Sequence, residues 1–215
     1  LIVRQERLKR IIAEIQAASP DILVSTGDLV DGQINRMTGL AELLQDIRPR
    51  FGKFAVTGNH EIYAGVNQAV AFTERAGFKV LRNEGATAGG LINVLGVDDP
   101  TIERITHSRP VPEKELLAKV PSDRFTLLLK HRPAVDRDSL GLFDLQLSGH
   151  VHKGQLFPFN LVTHLFYPVK MGYSHYPQGS ALYVSRGTGT WGPPIRFLAP
   201  PEVTVIELVH ADKNR

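Results

Sequence analysis

Apolar runs of strand length alternate with amphipathic helical stretches along the first third of this chain, and each run ends in a short turn marked by glycine. Residues 4 to 18 place Leu8, Ile11, Ile12 and Ile15 at helical spacing, and Ser19-Pro20 stops the helix. Asp21 to Ser25 is a short apolar strand, with Thr26-Gly27-Asp28 as the loop at its carboxyl end. Residues 38 to 47 give a second helix, with Leu40, Leu43, Leu44 and Ile47 on one face. Phe51 to Val56 is the next strand and leaves into Thr57-Gly58-Asn59-His60; residues 64 to 76 form a third helix, ended by Gly77. Units in this order predict an α/β fold with a largely parallel sheet and helices packed on it.

Beyond Gly77 the pattern turns strand-rich. Lys79 to Asn83, Ala86 to Thr87 and Leu91 to Val97 are predicted strands, and residues 112 to 119 a short helix. Phe125 to Lys130 and Phe143 to Ser148 are strands, each followed at once by a histidine motif. The stretch from 153 to 180 is rich in Gly, Pro, Tyr and Phe and reads as a long surface excursion; Ala181 to Ser185 and Val203 to Leu208 are expected to close the sheet. With no repeat or linker, residues 1–215 read as a single domain.

Composition narrows the function classes. The chain is 42% apolar and 22% charged, as ordinary globular proteins are. Having no Cys, it can form no disulfide, thiolate zinc site or Cys nucleophile. Its +3 charge comes from scattered residues, so nucleic-acid binding is not expected, while anionic ligands are tolerated. No apolar run is long enough to span a bilayer, and the chain itself is expected to be soluble. It starts with Leu rather than Met, so a parent protein with an anchor or export segment upstream is allowed.

The chemistry concentrates in five metal-capable side chains: Asp28, Asn59, His131, His150 and His152, with His60 beside Asn59. Borderline cations want imidazole nitrogen together with carboxylate or amide oxygen. Asp28, Asn59, His131 and His150 each follow a predicted strand by one to three residues, where open α/β sheets place their ligand crevice. A lone histidine or loop aspartate is most often structural; four such placements together are not. Asp28 has two oxygens and can bridge two cations. In His150-Val151-His152 the rings share a side only if the backbone is extended, and Gly149 allows the turn that aims them. His60 either makes a structural hydrogen bond to its loop or lies near the metals as a general acid. Asp31 reads as a cap more than a catalytic group, and Glu61 as a cap or an orienter of neighbouring ligands.

Gly27-Asp28-x-x-Asp31, Gly58-Asn59-His60-Glu61, His131 and Gly149-His150-Val151-His152 resemble, in order and spacing, the calcineurin-like metallophosphoesterases. The resemblance runs over essentially the whole chain, and Val184 to Gly189, Pro194-Ile195-Arg196 and Pro201 to Thr204 are similar to a bacterial membrane-linked or exported subgroup. It implies a four-layer sandwich of two facing mixed sheets flanked by helices. It also implies two divalent ions (manganese, zinc or iron), with Asp28 bridging, Asn59, His131 and His150 on one ion, and His152 on the other. His60 would be the proton donor, and a metal-bridging hydroxide would attack a phosphomonoester or phosphodiester in line. The family's N-terminal Asp-x-His motif has no counterpart here. The first strand and half of one metal's ligands are therefore expected to be missing, leaving one ion at most and weak hydrolysis in this chain.

Several features carry weaker expectations. Arg186 can fork onto phosphate oxygens or make a salt bridge, and Lys153 can contact substrate phosphate or point to solvent. Gly187-Thr188-Gly189 reads as a turn beside the site, and Trp191 with Pro193-Pro194 as a packed surface loop. Phe157, Phe159, Phe166, Tyr167, Tyr173 and Tyr176 either pack on one another or form an apolar rim for lipid, which would make the substrate a lipid or cell-envelope phosphate ester. The rival class is a non-catalytic phosphate-binding module that retains the fold. A serine hydrolase is a third and weaker rival, nearly excluded by the lack of a Gly-x-Ser-x-Gly elbow.

Overall fold

The computed structural model describes residues 5–30, 39–109, 111–155, 167–169, 171–190 and 195–210. Helix α1 (Gln5–Ala18) buries Leu8, Ile12 and Ile15 on one face, and Ser19 ends it in the left-handed region (φ 45°) with its N–H donating to the Gln16 carbonyl. Strands β1 (Leu23–Ser25), β2 (Lys53–Ala55) and β3 (Lys79–Val80) form one parallel sheet, linked through α2 (Leu40–Gln45), α3 (Asn59–Tyr63) and α4 (Val66–Arg75).

A second sheet takes the order β4-β5-β6-β7-β9-β8, from β4 (Glu84–Ala88), β5 (Ile92–Val97), β6 (Thr126–Lys130), β7 (Leu145–Ser148), β8 (Gly172–His175) and β9 (Ala181–Val184). Its four inner strands run parallel and both edges antiparallel. The mixed sheet and the two facing sheets match the expected sandwich.

Three hydrophobic layers hold the sandwich together. Leu8, Ile12, Leu44, Ala69 and Phe72 pack helices on the outside of the first sheet. Phe54, Val56, Leu81, Leu127, Leu129 and Leu147 fill the space between the sheets. Leu116 and Leu117 of α6 (Glu113–Leu117) cover Leu95 and Leu128 on the far face. Each such side chain contributes roughly 1.5–3 kcal/mol when fully buried. The sheets meet closely at Gly96, where a Cβ would lie 2.3 Å from the Leu81 Cβ and 2.7 Å from the Val56 Cγ1. Lys53 is buried beneath the first sheet, and its Nζ donates to the Leu44 and Ala76 carbonyls at 2.8 and 2.7 Å, tying the ends of α2 and α4 together.

In its secondary structure the chain departs from the sequence reading in four places. Asn59 opens α3 rather than ending a loop, and α5 (Thr101–Thr106) is an added helix. Within the expected excursion, residues 172–175 form edge strand β8. The expected strand over Val203 to Leu208 does not form; residues 201–210 carry no sheet hydrogen bonds, and Val205, Ile206, Leu208 and Val209 are exposed. Alternating apolar residues there lack a neighbouring strand among the described residues, and a strand is a property of a pair. Asp31, Phe157, Phe159, Phe166, Trp191 and Pro193-Pro194 lie outside the described residues.

Candidate metal centre

The carboxyl ends of β1, β2, β6 and β7 open onto one edge of the sandwich, and the loops leaving them bring donors together. One ligand atom each from Asp28, His131 and His150 lies within 4.8 Å of the others. His131 is the hub. Its Nε2 sits 3.2 Å from Asp28 Oδ2, 3.2 Å from Asn59 Oδ1 and 3.0 Å from His150 Nδ1. Its Nδ1 lies 2.7 Å from the Thr26 carbonyl, an acceptor, so Nδ1 carries the proton. In the neutral ring Nε2 is then a bare lone pair facing two oxygens and an imidazole. The Asp28 carboxylate and Asn59 amide oxygen facing the Nε2 lone pair suit a cation, either a proton on His131 or a metal ion, with His150 Nδ1 as a further donor atom when unprotonated, and the mixed N/O set suits a borderline divalent metal.

The loops are shaped by close approach. Asp28 adopts φ 56°, in the left-handed region, held by Glu61. The buried Glu61 carboxylate accepts from the backbone N–H of Asp28 (2.8 Å), Val30 (2.9 Å) and Gly58 (2.7 Å), so it both caps α3 and orients the Asp28 loop. Asp28 Oδ1 in turn accepts from the His60 N–H at 3.0 Å. Gly58 has no room for a side chain, since a Cβ would fall 2.1 Å from Asp28 Oδ1. Of ten non-glycine residues with positive φ among those described, five are Asp28, His150, His152, Lys153 and Gln155, which concentrates backbone strain in two ligand loops.

The His150-Val151-His152 turn differs from its expected form. It is tightly curled, with His150 at φ 67°, Val151 at −81° and His152 at 46°, so the rings part. His150 turns to His131, with ring centroids 4.9 Å apart, while His152 turns to Arg196, whose Nη2 donates to its Nδ1 at 2.8 Å. Gly149 is required by packing rather than by turn geometry, because a Cβ would sit 2.9 Å from Thr26 Oγ1. The described structure thus gathers Asp28, Asn59, His131 and His150, with the His60 backbone on the same aspartate. It places His152 outside the Asp28–His131–His150 cluster.

Electrostatics follow from this crowding. Burial opposes ionisation of Asp28, but the His131 and His60 contacts outweigh it and hold the carboxyl far below the usual range. Burial disfavours charge on His131, yet Asp28 and the Thr26 carbonyl raise its pKa. Burial, then the neighbouring charges of His131 and Arg132, bring His150 down to about 4; burial and Arg196 bring His152 to about 4 as well. Both rings are therefore neutral and able to ligate at pH 7. Burial and the Asp28 charge push Glu61 up.

The two residues assigned to substrate sit differently from each other. Arg186 spends its Nε on Glu202 Oε2 at 2.5 Å, with Nη2 on the same oxygen, so its salt-bridge alternative is the one adopted. Lys153 is half-buried in the left-handed region. Sequence reasoning missed Asp98, Asp99 and Arg132, which bond around the ligand loops, and Arg196 on His152. The first two were findable, since Asp98-Asp99 follows β5 as the ligands follow their strands. Of the aromatic segment, Tyr167 sets its ring edge against His150 at 5.6 Å and packs with Tyr176 on Val151, Leu182 and Val184, whereas Tyr173 is exposed. A groove of about 610 Å³ between α1 and Thr188, Thr190, Arg196 and residues 201–203 contains none of the cluster residues.

Comparison with known proteins bears on the same segments. Residues 3–154 match the family described as calcineurin-like phosphoesterase. An uncharacterized metallophosphoesterase of Aquifex aeolicus is 38% identical over 208 residues, covering 96% of this chain and 80% of that protein. One from Helicobacter pylori is 35% identical, covering 97% of this chain and 56% of its own length. A transmembrane protein with metallophosphoesterase domain from Danio rerio is 30% identical, covering 97% of this chain and 50% of that protein. The chain thus spans only about half the length of several relatives. The fold is shared with the 5'-nucleotidase precursor of Thermus thermophilus (TM-score 0.51, 18% identity, 84% of this chain and 42% of that one).

Proposed function

Because this chain belongs to the calcineurin-like phosphoesterases, we propose that it hydrolyses a phosphomonoester or phosphodiester with a divalent cation held by Asp28, Asn59, His131 and His150. Phosphate-ester hydrolysis in general follows from the family; the residue roles are our reading. The observation that carries them is the convergence on His131 Nε2 of Asp28 Oδ2, Asn59 Oδ1 and His150 Nδ1 within 3.0–3.2 Å. A cation bound there supplies Lewis-acid polarisation of a phosphate oxygen and of the attacking water. Asn59 contributes an uncharged oxygen, which keeps the site from repelling an anionic ester. Asp28 is positioned by Glu61 and the His60 N–H to use both oxygens. His60 donates the proton to the departing alkoxide.

A second ion would draw on Asp28 and on His152, whose Nδ1 is engaged by Arg196. Hydrolysis by these residues alone is accordingly expected to be weak, with one ion held well. Manganese, zinc and iron all suit the donor set. Exposed Tyr173 and Met171 on or beside edge strand β8 are compatible with an ester of lipid origin, as are relatives named transmembrane proteins.

Metal analysis and hydrolysis of an aryl phosphodiester with and without added Mn2+ test the reading. Asp28→Ala and His150→Ala should each lose at least about 100-fold in rate, together with Mn2+ binding, as removal of a ligand costs more than the 10–100-fold seen for its supporting partners. Turnover indifferent to Mn2+ and to both substitutions would sink it.

A further inference from the structure

Strand β5 ends at the same edge as the ligand-bearing strands, but its loop offers no ligand. It carries two consecutive carboxylates that grip the ligand loops instead. Asp98 accepts from Thr57 Oγ1 at 2.8 Å and from the Arg82 guanidinium at 2.9–3.1 Å. Asp99 takes Arg132 by a two-point fork, Nε to Oδ2 at 2.7 Å and Nη2 to Oδ1 at 3.1 Å, with Thr101 Oγ1 completing the cage. Thr57 lies two residues before Asn59, and Arg132 directly follows His131. The Arg132 carbonyl also accepts from Ser148 Oγ at 3.3 Å, two residues before His150. Two ligand loops therefore hang directly from one dipeptide, and the third is tied to it through Arg132.

We propose that Asp98 and Asp99 are positioning residues that set the spacing of Asn59, His131 and His150, and with it the affinity for the divalent cation. The inference rests on the metal-dependent reading above and deepens it. Stability alone is a poor account of the arrangement. The Asp99 carboxylate has no exposure and the Arg132 side chain 20%, and a buried ion pair of this kind holds a fold together no better than well-packed apolar residues would. What the fork adds is direction: two parallel hydrogen bonds fix the plane of Arg132, and the backbone that carries it is the backbone of His131. Donor atoms must hold within about 0.5 Å of productive geometry for tight binding.

Titration of the full chain with Mn2+ alone, followed by calorimetry, tests this. Asp99→Asn keeps size and loses the charged fork; its Mn2+ affinity should fall by about 10–100-fold, the usual effect of removing a ligand's supporting partner. Arg132→Lys, which keeps charge without the fork, should fall similarly and carries the test should Asp99→Asn fail to fold. Thr57→Ser should retain wild-type affinity, while Thr57→Val should lose it. Asp99→Asn should be fully folded by circular dichroism at the assay temperature before metal is added, and its phosphodiester turnover should then recover toward wild type at saturating Mn2+; recovery in an already folded protein reports affinity, since bound metal would also rescue a destabilised fold. Lys53→Met, which breaks a buried charged contact far from the site, should leave Mn2+ affinity unchanged. Folded Asp99→Asn or Arg132→Lys with affinity within twofold of wild type would overturn the inference and leave the functional reading intact; a wild-type chain that takes up no Mn2+ would overturn the functional reading itself.

Discussion

Replacing Glu61 by glutamine tests how the Asp28 loop is held. The wild-type carboxylate receives three backbone N–H groups, two on Oε2 (Asp28 and Gly58) and one on Oε1 (Val30). A glutamine presents one oxygen and one NH2. With its oxygen toward Asp28 and Gly58, the NH2 points at the Val30 N–H; reversed, it points at the other two. One or two buried donors are orphaned in either case, at about 1–3 kcal/mol each, so a loss of about 2–4 kcal/mol is expected. For a chain of this size that lowers Tm by roughly 5–15 °C, measurable by calorimetry without metal. Asp28 is also released from its left-handed conformation, so Mn2+ affinity should drop by about 10–100-fold. An E61Q protein with Tm within about 2 °C of wild type and unchanged Mn2+ binding would refute the claim that Glu61 shapes the loop.

Two further outcomes are expected. Gly58→Ala drives a Cβ onto Asp28 Oδ1, with the Asp28 backbone nitrogen only 2.7 Å away, so the ligand loop must move; Mn2+ binding should be lost in a protein that still shows native circular dichroism, and retained affinity would contradict the geometry. The metal-free protein should lose stability as pH falls from 6.5 to 4. His150 and His152 have folded-state values near 4, so the unfolded chain takes up their protons first, at up to roughly 3 kcal/mol each. His131, raised by Asp28, opposes this, because its contribution is full below 6.5 and lost as pH rises through its folded value. Asp28, strongly lowered, is lost only in still more acid solution. Urea midpoints measured with chelator across that window check the balance, and a midpoint flat or rising toward pH 4 would refute it.

Much of the fold was legible because its signals are local. Leu8, Ile12 and Ile15 repeat at helical spacing and are the residues that α1 buries. The ligand loops were legible because each follows an apolar strand, and the carboxyl ends of parallel strands share one edge whatever their order along the chain. What escaped depends on partners distant in sequence. Gly172-Tyr173-Ser174-His175 has a weak strand pattern and becomes β8 only by pairing with β9. Val203 to Leu208 has the stronger alternation yet pairs with nothing among the described residues. His152 and Arg196 are 44 residues apart, and no spacing rule joins them. Likewise nothing in Gly149 says that its role is to let Thr26 approach rather than to turn the chain.

The distribution of buried charge supports the proposed cation at His131. Asp98 and Asp99 are each matched by an arginine fork, Arg82 and Arg132, and Glu113 by Lys130 at 2.6 Å. Asp28 has no such partner among the described residues; its charge is met by the His60 N–H and by whatever proton His131 carries. An aspartate left this way in a core would ordinarily be costly, and sequences remove such residues or supply a base. Here the compensation is a ring whose other nitrogen is already committed to the Thr26 carbonyl, so its free nitrogen can hold a proton or a metal ion but not both. A proton on that atom would therefore compete with the proposed ion. Asp98, Asp99 and Glu61 are matched by arginines or backbone N–H groups that hold the surrounding loops, whereas the ionised Asp28 depends on His131 and the His60 N–H.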